Sequence, residues 1–184
     1  MTEVNFARSI AAAKLVSSPV TVVTTFDKPS QKTLAMISTV SYAQLDPLAL
    51  STGVLKKSRT GRAIFDSGVF AVSVMSFEQL ATLEKMSLLS TGQDVDKLTA
   101  AGFEKARFEA SGLEYVKDSL AAFSLTVAGH VDLESYVAIV GKVVEAVHLK
   151  DPQANRLTPL IRYNRCYGPI DKDRLKEAID SYPI

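Results

Sequence analysis

Hydrophobic and polar positions repeat with two different periods along this 184-residue chain. Val4, Ile10, Ala11 and Leu15 fall at helical spacing until Ser17, Ser18 and Pro19 end the pattern, which predicts a short opening helix over 4–16. The period then shortens. PVTVVTTF, TLAMISTVSYAQ and DPLALSTGV are rich in Val, Thr, Ile and Leu, and the turn formers Asp27, Pro29, Ser30, Asp46 and Pro47 separate them. They predict three consecutive antiparallel strands. In SRTGRAIFDSG, Ser58 is placed to cap a helix by accepting a backbone N–H, and Gly68 is a natural stop. GVFAVSVMS is again strand-like, and FEQLATLEKMSLLS sets Phe77, Leu80, Leu83 and Met86 on one face of a second surface helix. Periodicity is weak from Thr91 to Lys117, which predicts a long, partly irregular connection. SLAAFSLTVAGHVDL and SYVAIVGKVVEAVHL suit long strands of a curved sheet, with Gly129 and Gly141 allowing bends, and LKEAID is a short helical tail.

Strands in hairpin order, with helices at the edges and in one crossover, exclude an alternating βα pattern. The expected fold class is mainly β (α+β), an antiparallel barrel that is closed or partly closed. With no repeat, low-complexity tract or break in composition, one domain over 1–184 is expected.

Charge narrows the function. Lys and Arg number 21 against 20 Asp and Glu, so no long-range field gathers nucleic acid or anionic lipid, and any bound anion must be held locally. The N-terminal stretch lacks the signature of a secretion signal, and no apolar run approaches the roughly 20 residues that cross a bilayer. A soluble, cytoplasmic protein is expected. Cys166 is alone, which excludes an internal disulfide and a thiolate metal site. His130 and His148 are far apart with no carboxylate at ligand spacing, so no metal is expected.

In order along the chain, PVTVVTTF, AMISTVSYAQLDPLALSTGV, KKSRTGRAI and GVFAVSVMS resemble the N-terminal half of the flavin reductase-like family. DKL (Asp96 to Leu98), the strand ending VGKVV, and PLIRYNRCYG resemble its closing segments. The resemblance covers most of the chain and rests on a series of short matches in the right order. It implies an antiparallel split β-barrel of Greek-key type with a few peripheral helices. It also implies FMN as cofactor, with FAD the variant, a homodimer with each flavin near the subunit joint, NAD(P)H as co-substrate, and a monooxygenase as the partner receiving reduced flavin.

A flavin mononucleotide needs two kinds of site. For its phosphate, Ser58, Arg59 and Thr60 offer hydroxyls, backbone N–H groups and a cation beside the positive end of a helix, and Lys57 adds charge. The plain alternative is that Ser58 only caps the helix and Arg59 is solvated. For the ring, the resemblance implies that Met36, Ile37, Ser38 and Thr39 run along the flavin, against the alternative of a half-exposed strand with hydroxyls in water. It also brings Thr52, Gly53 and Val54 near the ring, where Gly53 lets backbone approach closely; a strand bulge is the alternative.

Hydride transfer between nicotinamide and flavin obliges no acid–base side chain, so no catalytic residue is assigned: the protein holds two rings about 3 to 3.5 Å apart and excludes water. Many reductases of the family carry a His shortly before the final barrel strand, where this chain has Tyr136. That tyrosine stacks on a ring, closes the pocket or packs in the core. Arg162, Tyr163, Arg165 and Tyr167 form a cluster able to contact a phosphate, stack on a ring, or sit at a subunit interface. Two competing readings stay open: an FMN-binding electron carrier or flavin store fed by another protein, and a related barrel turned to another flat phosphate ligand, as in the pyridoxamine phosphate oxidase relatives.

Overall fold

β-branched residues separated by turn formers make the first third of the chain extended. β1 (Ser18–Asp27), β2 (Lys32–Leu45) and β3 (Leu48–Leu55) follow one another through short turns. The computed structural model describes residues 13, 15–89, 95–148, 158–163 and 166–169. Next come α1 (Arg59–Ser67), β4 (Val69–Val74), a 3-10 turn (Phe77–Gln79), α2 (Leu80–Leu88), α3 (Lys97–Ala101), and the short strands β5 (Lys105–Arg107) and β6 (Glu114–Val116). Two long strands, β7 (Ala121–Leu133) and β8 (Tyr136–His148), precede β9 (Leu160–Tyr163) and β10 (Cys166–Pro169).

The strands neighbour one another in the order β1, β2, β3, β8, β7, β4, and β4 pairs back onto β1 from Thr21↔Val74 to Thr24↔Ala71. Six antiparallel strands therefore close into a barrel, and the mainly β architecture expected from the sequence is the one observed. β9 and β10 hang on the start of β1 through Ser18↔Arg162 and Pro19↔Ile161.

Because side chains alternate along a strand, β1 serves two cores. Val23 faces inward with Val40, Val54, Phe70, Leu125 and Ile139, and Ile64 of α1 joins that cluster. Val20 and Val22 face outward, where Leu83 and Met86 of α2, Leu98 of α3, Val116 and Leu160 cover them. Each fully buried leucine contributes about 1.5–3 kcal/mol relative to an exposed one, so α2 and α3 are held onto the barrel chiefly by this outer cluster.

The barrel has a notch. β2 pairs with β1 over Lys32–Thr39 and with β3 only over Val40–Leu45, the last pair toward the notch being Val40↔Thr52. β3 nevertheless continues to Leu55, paired with β8 on its other side. Between residues 32–39 of β2 and 53–55 of β3 the strands part, so backbone groups of both edges are not committed to a ladder with each other.

The opening and tail helices read from the sequence lie outside the described residues, apart from Ala13 and 15–17 at the end of the first. Of the stretch from Thr91 to Lys117, expected to be a long irregular connection, the described part, 95–117, is more ordered than that. It forms α3, β5 and β6 and buries Leu98, Phe103, Phe108, Leu113 and Tyr115. Elements of three to five residues are too short to show a period, and distant packing holds them. Phe77 is 38% exposed, unlike Leu83 and Met86, because the α-helix begins only at Leu80. Among the described residues no helix is long and apolar enough to cross a membrane.

Candidate functional site

The outer face of β1 and β2 is left partly uncovered where α2, α3, β9 and β10 approach it. A cleft of about 320 Å³ lies there, floored by Val20 and by Met36, Ile37, Ser38 and Thr39, with Met86, Ser87, Lys97, Arg162 and Tyr167 on its walls. The four consecutive β2 residues named from the sequence are thus brought together in one cavity. Arg162 and Tyr167 join them because they are cross-strand partners in the β9–β10 hairpin. Tyr163 is half exposed and outside this lining. Arg165 lies outside the described residues.

The notch adjoins this floor. Ser38 and Thr52 hydroxyls stand 2.9 Å apart, and Thr52 Oγ1 donates to the Thr39 carbonyl at 2.9 Å. Two hydroxyls therefore bridge the gap where backbone pairing stops. Next to them Gly53 is exposed, with nothing within 4 Å of the position a Cβ would take. A planar ligand can come within van der Waals distance of that backbone. Val54 differs from its neighbours: its side chain is 1% exposed and belongs to the barrel core. Only its main chain faces the notch, because the strand alternation that exposes Gly53 turns residue 54 inward.

The start of α1 is built as a cap. Ser58 Oγ accepts from Gly61 N at 2.9 Å and donates to Leu55 O at 2.8 Å, so its hydroxyl is engaged on both sides. Gly61 is required for this fit, since a Cβ there would lie 2.7 Å from Leu55 O. Gly68 ends the helix in the left-handed region, with φ 73°, as expected. Arg59 reaches the Asp27 carboxylate through Nε at 3.2 Å and Nη2 at 2.7 Å. The Ser30 hydrogen bond holds the Asp27 carboxyl below its ordinary pKa; burial opposes the shift, and Arg59 adds to it. Thr60 Oγ1 is buried without a hydrogen-bond partner, and Lys57 is exposed. None of Lys57, Ser58, Arg59 and Thr60 lines the 320 Å³ cleft. They form a second locus around the turn after β3, where the Arg59 charge is already answered by Asp27.

Met86, Ser87 and Lys97 are wall residues that sequence reasoning missed, and Lys97 is the charged one. It lay within the matched DKL segment, which was the only signal, and its place beside β2 depends on α3 packing through Leu98. Burial lowers the pKa of its ammonium. A further cavity of about 400 Å³ is lined by Lys105, Arg107, Asp96 and Glu114 among others, and its charges answer one another. Lys105 Nζ lies 2.6 Å from Asp96 and 2.8 Å from Glu114, and Arg107 lies 3.1 Å from Glu114. Among the described residues, no group of three or more His, Cys, Asp or Glu is placed to hold a metal ion.

Tyr136 is 52% exposed, paired with Leu133 and Leu55, so it neither fills the core nor lines the cleft.

The donor set fits a flavin in kind: hydroxyls and open strand backbone for an amide-edged ring, an aromatic and apolar wall for its faces, and cations for a phosphate. Comparison with solved structures finds the same fold. NADH:FAD oxidoreductase SgcE6 of Streptomyces globisporus C-1027 superposes with a TM-score of 0.77 at 15% identity, over 92% of this chain and 96% of that one. The same enzyme has also been solved in complex with NAD and FAD fragments, at a TM-score of 0.76 and 15% identity, over 92% and 94%. A homolog of nitrilotriacetate monooxygenase component B from Mycobacterium thermoresistibile superposes with a TM-score of 0.78 at 21% identity, over 97% and 90%. No curated protein matches the chain in sequence. The model of the "Flavin reductase like domain" matches residues 13–171, and the chain therefore belongs to the flavin reductase-like family.

Proposed function

We propose that this protein is an NAD(P)H-dependent flavin oxidoreductase that binds FMN, with FAD the variant, and supplies reduced flavin to a partner monooxygenase. The observation that carries the reading is the cleft along Met36–Thr39 beside the β2–β3 notch, where strand backbone and two hydroxyls border an open glycine. Bound flavin supplies the two-electron chemistry, accepting hydride from a dihydronicotinamide. The chain's own residues supply position. Met36, Ile37, Ser38 and Thr39 would flank the ring, the Ser38 and Thr52 hydroxyls would serve its polar edge, and the main chain of Gly53 and Val54 would border it. Lys57, Ser58, Arg59 and Thr60 open α1, whose first-turn N–H groups and positive dipole end suit a phosphate. Met86 and Val20 keep water from one side of the cleft.

A homodimer belongs to the same reading. Leu55, Tyr136 and Leu133 are cross-strand neighbours in one row and are 41–52% exposed, beside the turn that leads into α1. A second copy covering this row would bury it and bring Tyr136 toward the partner's ligand. Light scattering should return twice the 19.9 kDa of the chain, and Leu55→Glu should return the chain mass.

Incubating the protein with FMN and either NADH or NADPH tests the enzyme directly. Nicotinamide oxidation well above the protein-free rate is expected; no acceleration with either donor sinks it. The exposed Tyr136 favours one second reading, a non-enzymatic FMN carrier or flavin store. A yellow protein that keeps flavin through gel filtration while leaving both nicotinamides unoxidised would select it.

A further inference from the structure

The cleft wall carries a charge that a neutral ring does not call for. Among the described residues, two cations, Lys97 and Arg162, line the cavity and no carboxylate does. They come from separate elements, the first turn of α3 and strand β9, so their meeting is a product of the tertiary fold. Asp96, next to Lys97 in sequence, does not neutralise it. Its carboxylate is held by Lys105 Nζ at 2.6 Å, by Thr99 Oγ1 at 3.0 Å and by the Leu98 and Thr99 amides, and it faces the other cavity. Among the described residues, neither Lys97 nor Arg162 has an ion pair, whereas Lys105 and Arg107 of the second cavity and Arg59 of the α1 turn are all paired.

Burial without an anion disfavours the Lys97 ammonium, and a bound anion would offset that cost. Ser38, Thr39, Ser87 and Tyr167 line the same cavity; the Ser87 hydroxyl donates to Glu84 O at 2.7 Å and the Ser38 hydroxyl is paired with Thr52, so both would have to turn to meet an anion. Two cations, one of them a planar guanidinium, beside the Thr39 side chain make a donor set suited to phosphate.

We propose that Lys97 and Arg162 form a phosphate-binding wall in the cleft, distinct from the turn that opens α1, which takes the phosphate or diphosphate of a bound nucleotide. The identity of that nucleotide rests on the flavin reductase reading, whereas the anion chemistry does not. Two sources present the same group here: the tail of the flavin nucleotide, and the diphosphate of the nicotinamide donor. At α1 a phosphate would meet an arginine already bound to Asp27; in the cleft it meets two cations that have no counter-ion among the described residues.

The test uses Lys97→Gln, Arg162→Gln and the double variant of the whole chain, with ligands in matched pairs. FMN is compared with riboflavin by fluorescence titration, NADH with the phosphate-free N-benzyl-dihydronicotinamide by KM, and inorganic pyrophosphate serves as competitor. The double variant is expected to lose about ten-fold or more in affinity for a phosphate-bearing ligand, with less than about two-fold change for its phosphate-free counterpart. Pyrophosphate should compete in the wild type and not in the double variant. Loss for FMN but not riboflavin assigns the wall to the flavin tail, and loss for NADH but not its truncated analogue assigns it to the donor. Unchanged affinity for both FMN and NADH overturns the wall, and so does equal loss for both members of a pair. Arg162→Lys, which keeps the charge, should retain most of the wild-type affinity and shows that the cleft still folds. If the wild type oxidises no nicotinamide but binds pyrophosphate through Lys97 and Arg162, the reductase reading falls and the phosphate wall stands.

Discussion

Gly141 offers a stability test that reaches the site through the barrel core. It lies in β8 between Leu50 of β3 and Val127 of β7. A methyl group there would sit 2.5 Å from Phe70 Cζ, 2.7 Å from Phe70 Cε1 and 3.0 Å from Leu125 Cβ. Carbon–carbon contacts become favourable only near 3.5 Å, so the ring has to yield by about 1 Å. Phe70 is 1% exposed and shares its cluster with Val23, Ile64, Val72, Leu125 and Ile139, which leaves little room to retreat. Overpacking of this kind costs about 1–3 kcal/mol. At roughly 2–4 °C per kcal/mol for a chain of this length, Gly141→Ala should melt about 2–12 °C below the wild type by circular dichroism. Gly129 on the adjoining strand is the control: nothing lies within 4 Å of its Cβ position, so Gly129→Ala should leave Tm near the wild-type value or slightly above it. Phe70→Leu shortens the obstructing ring, so the double variant should be more stable than the two single losses added together. Ile64 of α1 packs in the same cluster, so flavin affinity should fall with Tm in Gly141→Ala. Equal melting of the two glycine variants, or a strictly additive double variant, would refute the packing argument.

Acid should unfold the protein through three carboxylates. Asp27 is held below its ordinary pKa by Ser30 first and by Arg59; at Asp96 and Glu114 burial pushes the other way and is outweighed by hydrogen bonds that Lys105 leads. Folded values below the unfolded ones mean that their stabilisation is complete above the ordinary carboxylate range, near pH 4.5, and is lost as pH falls through the folded values. Urea midpoints measured from pH 6 to about 2.5 should drop most steeply below about pH 4, and Glu114→Gln should flatten that drop. At the notch, Thr52→Val keeps volume and deletes the hydroxyl that bridges Ser38 and Thr39. One neutral hydrogen bond is worth about 0.5–1.5 kcal/mol, so FMN should bind about two- to thirteen-fold more weakly by fluorescence titration. Unchanged affinity would detach the notch from the flavin.

The barrel was legible because its strands are long and chemically uniform. PVTVVTTF, TLAMISTVSYAQ and the two late runs stay rich in β-branched and apolar residues for eight or more residues, and each became a barrel strand. The cap of α1 was legible residue by residue, since Ser58 and Gly68 act through local geometry that sequence spacing records. The segment from Thr91 to Lys117 was not. Its three elements have three to five residues each, and Phe108, Leu113 and Tyr115 are buried by a tertiary cluster with Ala71 and Ala122 that no local pattern announces.

The site divides along the same line. Met36 to Thr39 were readable as a unit because a strand presents consecutive residues to one cleft, some through side chains and some through backbone. Arg59 looked like a free cation because its partner, Asp27, is 32 residues away, at the far end of β1. Lys97 drew no role of its own from the sequence because only the docking of α3 against Val20 and Val22 brings it beside β2. Sequence spacing thus exposes donors and acceptors that act locally, whereas the state of a charge is decided by which strand or helix lies opposite. The two cations exchange their apparent roles for that reason: the one in the recognisable turn is neutralised by its own barrel, and the one in the unremarkable short helix has no carboxylate partner among the described residues.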